Sequence, residues 1–248
     1  MFKKKIKIIN KEWEFFQFHD EDGLLGLVLF DTNYLEEKSQ KSYQTEILLY
    51  IIIPEDKLHL KIPTPEENQY LNKIEDDLIS LLQNRNVDCK QVVRLTYDGK
   101  RQFVFECNNT DKFMQVFDDW ETNIKGHEIE VYENQVWETY NRFLPDKYDW
   151  QQIGNRHVID QLTKVNSNFE KEHFIEHVLI GNQKNLSILK EKLVSEGFHF
   201  ISLTDEILDI GYYSLVSLDE ITSQTSYLID AAEQYQVEYD GLSTSIIR

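Results

Sequence analysis

The chain has 248 residues, 41% of them apolar and 12% aromatic, a composition that suits two modest domains and excludes global disorder. Its 26 Lys and Arg stand against 44 Asp and Glu, a net charge of −18, and a field of that sign repels phosphate backbones and disfavours direct nucleic-acid binding. Cys89 and Cys107 are too few for a disulfide scaffold or a Cys-based zinc site, residues 1–10 lack a signal-peptide apolar run, and the longest apolar run, Ile47 to Ile53, is far short of a membrane span, so a cytoplasmic protein without membrane contact is expected.

Residues 12–31 read as a hairpin: aromatic-rich Trp13 to Phe18, a turn at His19 to Gly23, then apolar Leu24 to Phe30. Residues 32–44 are polar and predict a loop. Glu46 to Ile53 is nearly all apolar, as in a strand buried on both faces, and Pro54 ends it. A helix follows, with Thr64 as cap, Pro65 at the first position and Glu67 completing a capping box. Leu71, Ile74, Leu78, Leu81 and Leu82 recur at helical spacing up to about Asn84 and predict a core stripe.

Val93, Leu95 and Tyr97 alternate into the Asp98-Gly99 turn, and Phe103, Phe105 and Cys107 alternate out of it. Asn109 or Thr110 can cap a second helix, whose stripe is Phe113, Val116, Phe117 and Trp120. Gly126 ends it and His127 to Tyr132 reads as a strand. Trp137, Tyr140, Phe143 and Leu144 form a short helical stripe stopped by Pro145. The boundary falls within Leu144 to Asp149 and divides residues 1–148 from 149–248.

Residues 149–165 predict a connecting helix. Strand His173 to Ile180 then leads through Gly181-Asn182 to a helix carrying Leu186, Leu189 and Leu193, stopped by Gly197. Phe198 to Leu203 and Tyr212 to Leu218 predict strands, Asp219 a cap for a helix carrying Ile221, Leu228, Ala232 and Tyr235, and Val237 to Ile247 a last strand. Both halves thus run strand, helix, strand, strand, helix, strand. The expected fold is α+β, two tandem ferredoxin-like (βαββαβ) domains, the first with an extra N-terminal hairpin. In that plan the first and third strands are central.

Several residue groups suggest chemistry. His173 and His177 invite a metal, but on one strand they stand about 13 Å apart, too far to share an ion held about 2 Å from each nitrogen. Glu176 and His177 suggest an acid and a base, but strand neighbours point to opposite faces. Tyr239-Asp240-Gly241 reads as a recognition loop or as a bulge. Lys100 to Phe105 has an outline of an RNA-recognition strand, but the Gly and final aromatic of that motif are not in place. No phosphate loop, nucleophile elbow or HExxH occurs.

Phe174-Ile175-Glu176-His177, Leu193-Val194-Ser195-Glu196-Gly197-Phe198 and Val237-Glu238-Tyr239-Asp240-Gly241 occur in an order and spacing that resembles the RraB family, regulators of ribonuclease E activity, over residues 150–247. Members of that family often carry a second His where this chain has Val178, a Trp where it has Leu242, and in some cases an acidic tail, so contacts made by those groups do not carry over. Trp13-Glu14-Phe15-Phe16, Ile74-Glu75-Asp76-Asp77-Leu78 and Gly99 to Phe105 resemble the domain of unknown function 695 family. The first resemblance implies a non-catalytic protein that binds an endonuclease and restrains it. It points to a protein partner, a ribonuclease or its basic scaffold, met through an acidic face of the second domain. That half carries 7 basic against 16 acidic residues, −9 on about 100 residues. The candidate partner-binding residues are Glu172, Glu176, His177, Tyr239, Asp240 and Gly241, and no catalytic residue, cofactor or metal is assigned. The alternative is a small-molecule-binding protein or enzyme with its site in the interdomain cleft, a common location for sites. A third is an interaction module that never meets a nuclease.

Overall fold

The computed structural model describes residues 13–36, 43–136 and 138–248. The expectations for residues 1–10, for the middle of the 32–44 loop and for Trp137 lie outside the described residues. Mixed helices and antiparallel sheets make the fold α+β, and the chain divides between Leu144 and Pro145 into two compact units.

The N-terminal unit opens with Trp13–His19 (β1) and Leu25–Asp31 (β2), antiparallel from Trp13 opposite Asp31 to His19 opposite Leu25. Asp20 closes the turn by accepting from the Leu24 amide at 2.7 Å. The expected loop begins as a short helix, Asn33–Glu36 (α1). Next come Thr45–Ile52 (β3), the small ribbon Leu58–His59 (β4) and Ile62–Pro63 (β5), and Pro65–Asn84 (α2). The hairpin Cys89–Tyr97 (β6) and Lys100–Cys107 (β7), Thr110–Glu121 (α3), Glu128–Asn134 (β8) and Glu138–Arg142 (α4) complete it. The six strands lie in the order β1-β2-β6-β7-β3-β8. On one face Ile47, Leu49, Ile51, Phe103 and Phe105 form a core with Leu71, Ile74, Leu78 and Leu82 of α2 and Phe113, Val116, Phe117 and Trp120 of α3.

Two expectations for this unit need correction. β3 is not buried on both faces: Ile47, Leu49 and Ile51 are buried while Leu48, Tyr50 and Ile52 are half-buried, because its neighbour on one side, β8, is the edge of the sheet. The strand with both faces covered is β7, buried throughout from Arg101 to Cys107. The capping box at α2 is made on one side only. Thr64 Oγ1 accepts from the Glu67 amide at 3.3 Å, but the Thr64 amide donates to the Lys57 carbonyl. The Glu67 carboxylate turns instead to Lys57 and the His127 ring.

Of the two basic residues of the Lys100 to Phe105 strand, Lys100 is exposed and Arg101 is committed inside the unit. Arg101 is 3% exposed and donates to Asn68 Oδ1 at 2.6 Å, Asn72 Oδ1 at 2.8 Å and Thr96 Oγ1 at 3.1 Å. Burial pulls its guanidinium down to about 10. Arg94, on the neighbouring strand, bonds Glu75 at 2.8 Å. This is a polar layer between α2 and the sheet, and buried cations of this kind must be held by such partners.

The C-terminal unit starts with Lys147–Lys164 (α5), capped by Asp146 in a full capping box with Asp149. This helix belongs to the unit: it packs on α7, Leu218–Gln234, and its buried Asn155 donates to Thr225 at 2.9 Å. Between them come His173–Ile180 (β9), Gln183–Ser195 (α6), His199–Leu203 (β10) and Ile207–Ser214 (β11), and Glu238–Thr244 (β12) closes the unit. The strand order is β10-β11-β9-β12, with β9 and β11 central. Leu186, Leu189 and Leu193 of α6 and Leu228, Ala231 and Ala232 of α7 bury against Leu179, Leu208 and Ile210.

The third strand here lies five residues earlier than the expected Tyr212 start. Thr204 tightens the preceding turn, its amide donating to the Ile207 carbonyl and its hydroxyl accepting from the Ile207 amide. The strand therefore begins at Ile207 and buries Leu208 and Ile210. Leu215 to Ser217 lead into α7, and its cap is Ser217, accepting from the Glu220 amide at 3.2 Å, rather than Asp219. Among the described residues no helix is long and apolar enough to cross a membrane.

Candidate protein-docking face of the C-terminal unit

Alternation along β9 sorts its residues. His173, Ile175, His177 and Leu179 are buried on the helix side, and Phe174, Glu176, Val178 and Ile180 face away. The registers carry both rows outward. Gly211, Asp209, Ile207 and Tyr213 of β11 lie beside the outward row on one side, and Glu238, Gly241 and Ser243 of β12 on the other. His199 lies beyond Gly211 on β10.

The two central strands carry an aromatic cluster on this face. Phe174 and Tyr213 have ring centroids 4.9 Å apart, and His199 lies 6.0 Å from Phe174 and 5.5 Å from Tyr213. Gly211 makes the arrangement fit, because a Cβ there would meet Phe174 Cζ at 2.0 Å. Along the same face run the carboxylates of Glu176, opposite Gly211, of Asp209, opposite Val178, and of Glu238, opposite Ile180 at the far end, with Asp209 accepting from Ser202 Oγ at 2.6 Å. None of the four strands of this unit contains a Lys or Arg.

The opposite side of β9 holds His177, fully buried. Its Nε2 lies 2.8 Å from Gln224 Oε1, which can only accept, so Nε2 carries the proton. Nδ1 then accepts from the Tyr239 hydroxyl at 2.9 Å. Burial pulls the ring down to about 4, so it is neutral at pH 7. Burial likewise pushes the Tyr239 hydroxyl well above its ordinary value. His173, also buried, donates from Nδ1 to the Lys171 carbonyl and places Nε2 3.0 Å from Ser167 Oγ. Both histidines are tied into hydrogen bonds, and among the described residues no group of three or more His, Cys, Asp or Glu side chains is placed to hold a metal.

The six sequence candidates therefore separate. Glu172 and Glu176 are exposed, the first just before β9 and the second on the open face. Asp240 and Gly241 form a bulge, where the register of β12 on β9 shifts between Tyr239 and Gly241 and Gly241 takes φ +127. His177 and Tyr239 are brought together, but inside: His177 cannot touch a partner, and the Tyr239 hydroxyl points to it. Sequence reasoning missed Tyr213, His199 and Asp209 on the face around Glu176, and Glu238 at its far end. Alternation along β9 puts Phe174 on the same face and could have found it, but the others need the strand pairing.

Residues 11–145 match the family model "Family of unknown function (DUF695)". The chain belongs to that family. Beyond the DUF695 region, residues 152–244 match the model "Regulator of ribonuclease activity B", so the open face of the C-terminal sheet lies wholly within the second match. No curated protein matches the chain. Among solved structures, an unknown protein from Galdieria sulphuraria is similar at 9% identity, over 82% of this chain and 99% of that one, with a TM-score of 0.21, too distant to bear on this fold.

Proposed function

We propose that this protein is a non-catalytic regulator that docks through the open face of its C-terminal unit onto a basic protein, a ribonuclease E-type endonuclease or its basic scaffold, and restrains RNA cleavage. In this reading both units follow the ferredoxin-like plan, which fits the element order of each and the central place of its first and third strands. One observation carries the proposal: an outward-facing sheet surface with Phe174 and Tyr213 on its two central strands, the carboxylates of Glu176, Asp209 and Glu238 spaced along it, and no cation in any strand. Exposed rings in a polar surround are the composition of a docking patch. A similar sheet with basic strands would suit stacked bases, but nucleic-acid binding draws on phosphate attraction that this face lacks. The match of residues 152–244 to "Regulator of ribonuclease activity B" supports the class of partner.

The test uses the full chain as bait in a lysate of its source organism, then a cleavage assay with the purified nuclease it retains. Retention at about 0.1 M salt and release near 1 M are expected, since the screening length falls from about 10 to about 3 Å. Slower RNA cleavage and loss of both effects in the Glu176→Lys/Glu238→Lys double variant complete the expectation. Binding indifferent to salt and to the double variant would overturn the docking face, and binding without inhibition would overturn the regulatory role.

A further inference from the structure

Cys89 and Cys107 stand far apart in sequence, at the open end of the β6–β7 hairpin. The Asp98-Gly99 turn pairs Tyr97 with Lys100, Leu95 with Gln102 and Val93 with Val104. Continued without interruption, that register would put Asn108 opposite Cys89. A bulge between Gln91 and Val93 removes one residue from the count, and Cys89 falls directly opposite Cys107.

The backbone bonds identify the kind of pair. The Asn108 amide donates to the Asp88 carbonyl at 3.0 Å, so the next rung in, Cys89 with Cys107, is not hydrogen-bonded across the strands. The Cys89 amide turns to the Val87 carbonyl, and the Cys107 carbonyl accepts from Gln44 on its other side. Non-hydrogen-bonded pairs are the closest in an antiparallel ladder, with Cα atoms about 4.5 Å apart. That lies within the range of about 4.4–6.8 Å found for disulfides. Cys107 is buried, whereas Cys89 is half-buried and lines a cavity of about 290 Å³ with Trp13, Asp31, Lys90 and Phe105. A small oxidant entering that cavity meets Cys89 first.

We propose that Cys89 and Cys107 are a redox modification site, converted by a peroxide into an intrachain cross-strand disulfide. The Cys89 thiolate attacks one peroxide oxygen. An S–O bond forms, the O–O bond breaks, and the departing hydroxide leaves as water, giving a sulfenic acid. Cys107 sulfur then attacks Cys89 sulfur. The S–S bond forms, the S–O bond breaks, and the Cys107 proton leaves with the hydroxyl as a second water. Two thiols are oxidised by two electrons and one peroxide is reduced. Cys107 is the resolving partner: its hydrogen bond to Cys89 and its burial push its thiol up, so it does not attack unaided, and proximity to an oxidised Cys89 drives the second step. The inference is independent of the docking face.

Treating the full-length native protein with hydrogen peroxide tests it. Both free thiols should disappear together, with a loss of two hydrogens in the intact mass, a Cys89–Cys107 crosslink in the non-reduced peptide map, and full reversal by dithiothreitol. The oxidised protein should unfold at higher denaturant, since the link restrains the unfolded chain. In Cys107→Ser a sulfenic acid should persist on Cys89 and be trapped by dimedone. Cys107→Ala, which buries no hydroxyl, repeats that test if the Ser variant is unstable. In Cys89→Ser the remaining thiol should stay unreactive. A product oxidised at Cys89 alone in the wild type, an interchain dimer, or thiols that react only after unfolding would each overturn the proposal.

Discussion

His177 makes the stability of the C-terminal unit depend on pH in a window set by its burial. Its ring falls from the ordinary 6.5 to about 4 when folded. The unfolded chain therefore takes up the proton first, and stability is fully present above 6.5 and drains as pH falls toward 4. A tenfold difference in proton affinity between the two states is worth about 1.4 kcal/mol, so linkage gives a loss of about 2 kcal/mol by pH 5 and about 3 kcal/mol by pH 4. Asp149 runs the other way: burial raises its carboxyl to about 6, so its contribution grows as pH drops through that value. A comparison with His177→Phe removes this and every other shared titration. The variant costs about 1–3 kcal/mol at pH 7, because Gln224 and Tyr239 lose their partner. Urea unfolding at pH 7, 6 and 5 should then show the gap between the two proteins shrinking by about 2 kcal/mol. Ring NMR should find His177 still neutral at pH 5. A constant gap, or a His177 that titrates near 6.5 in the folded protein, would refute the reasoning.

Other substitutions test the packing. Gly211→Ala drives a methyl into the Phe174 ring and should cost about 1–3 kcal/mol in urea unfolding. Adding Phe174→Ala to it should cost less than the sum of the two single changes, because the clash has gone. Arg101→Met withdraws the donor shared by Asn68, Asn72 and Thr96, and should cost about 2–3 kcal/mol of N-terminal unit stability. Trp120→Phe removes the buried bond from Nε1 to the Ile74 carbonyl at 2.9 Å, and a loss of about 1–2 kcal/mol on thermal melting is expected.

Most of the architecture was legible wherever local chemistry and tertiary packing agreed. Thr64 and Pro65 mark the start of α2, Asp98-Gly99 marks the β6–β7 turn, and Asn109 caps α3 through the Lys112 amide. The misreading of β11 arose where local signals conflicted. Ile207 to Ile210 follows an acidic stretch that reads as turn, and Gly211 reads as a strand breaker, yet it is the residue that admits Phe174. The site was only half legible. Period-two alternation separated Glu176 from His177, but nothing local to Tyr239 tells that its hydroxyl bonds a histidine on β9. The cysteine pair was hidden for a similar reason, since the bulge beside Val92 changes the register without a Gly to announce it.

The two units share an element order but not the fate of the second face of the sheet. In the N-terminal unit Glu46, 0% exposed, points to that face beside Glu106 and accepts from the Thr139 and Tyr140 amides, which brings α4 over it. Tyr140 packs edge-on against Tyr34 of α1, and its hydroxyl donates to the Asp31 carbonyl. Burial pushes the Glu46 carboxyl up, so the attachment is held by hydrogen bonds to a group that water cannot reach. Among the described residues of the C-terminal unit no helix covers the corresponding face. Its α5, α6 and α7 pack on the other side, and within the unit the row from Phe174 to Ile180 is left uncovered. Covering that face would require burying Glu176 and Glu238 without cations in the strands to meet them, at a cost of several kcal/mol for each charge. A partner that brings its own basic groups removes that obstacle, which is why charge, rather than apolar area alone, should decide what binds.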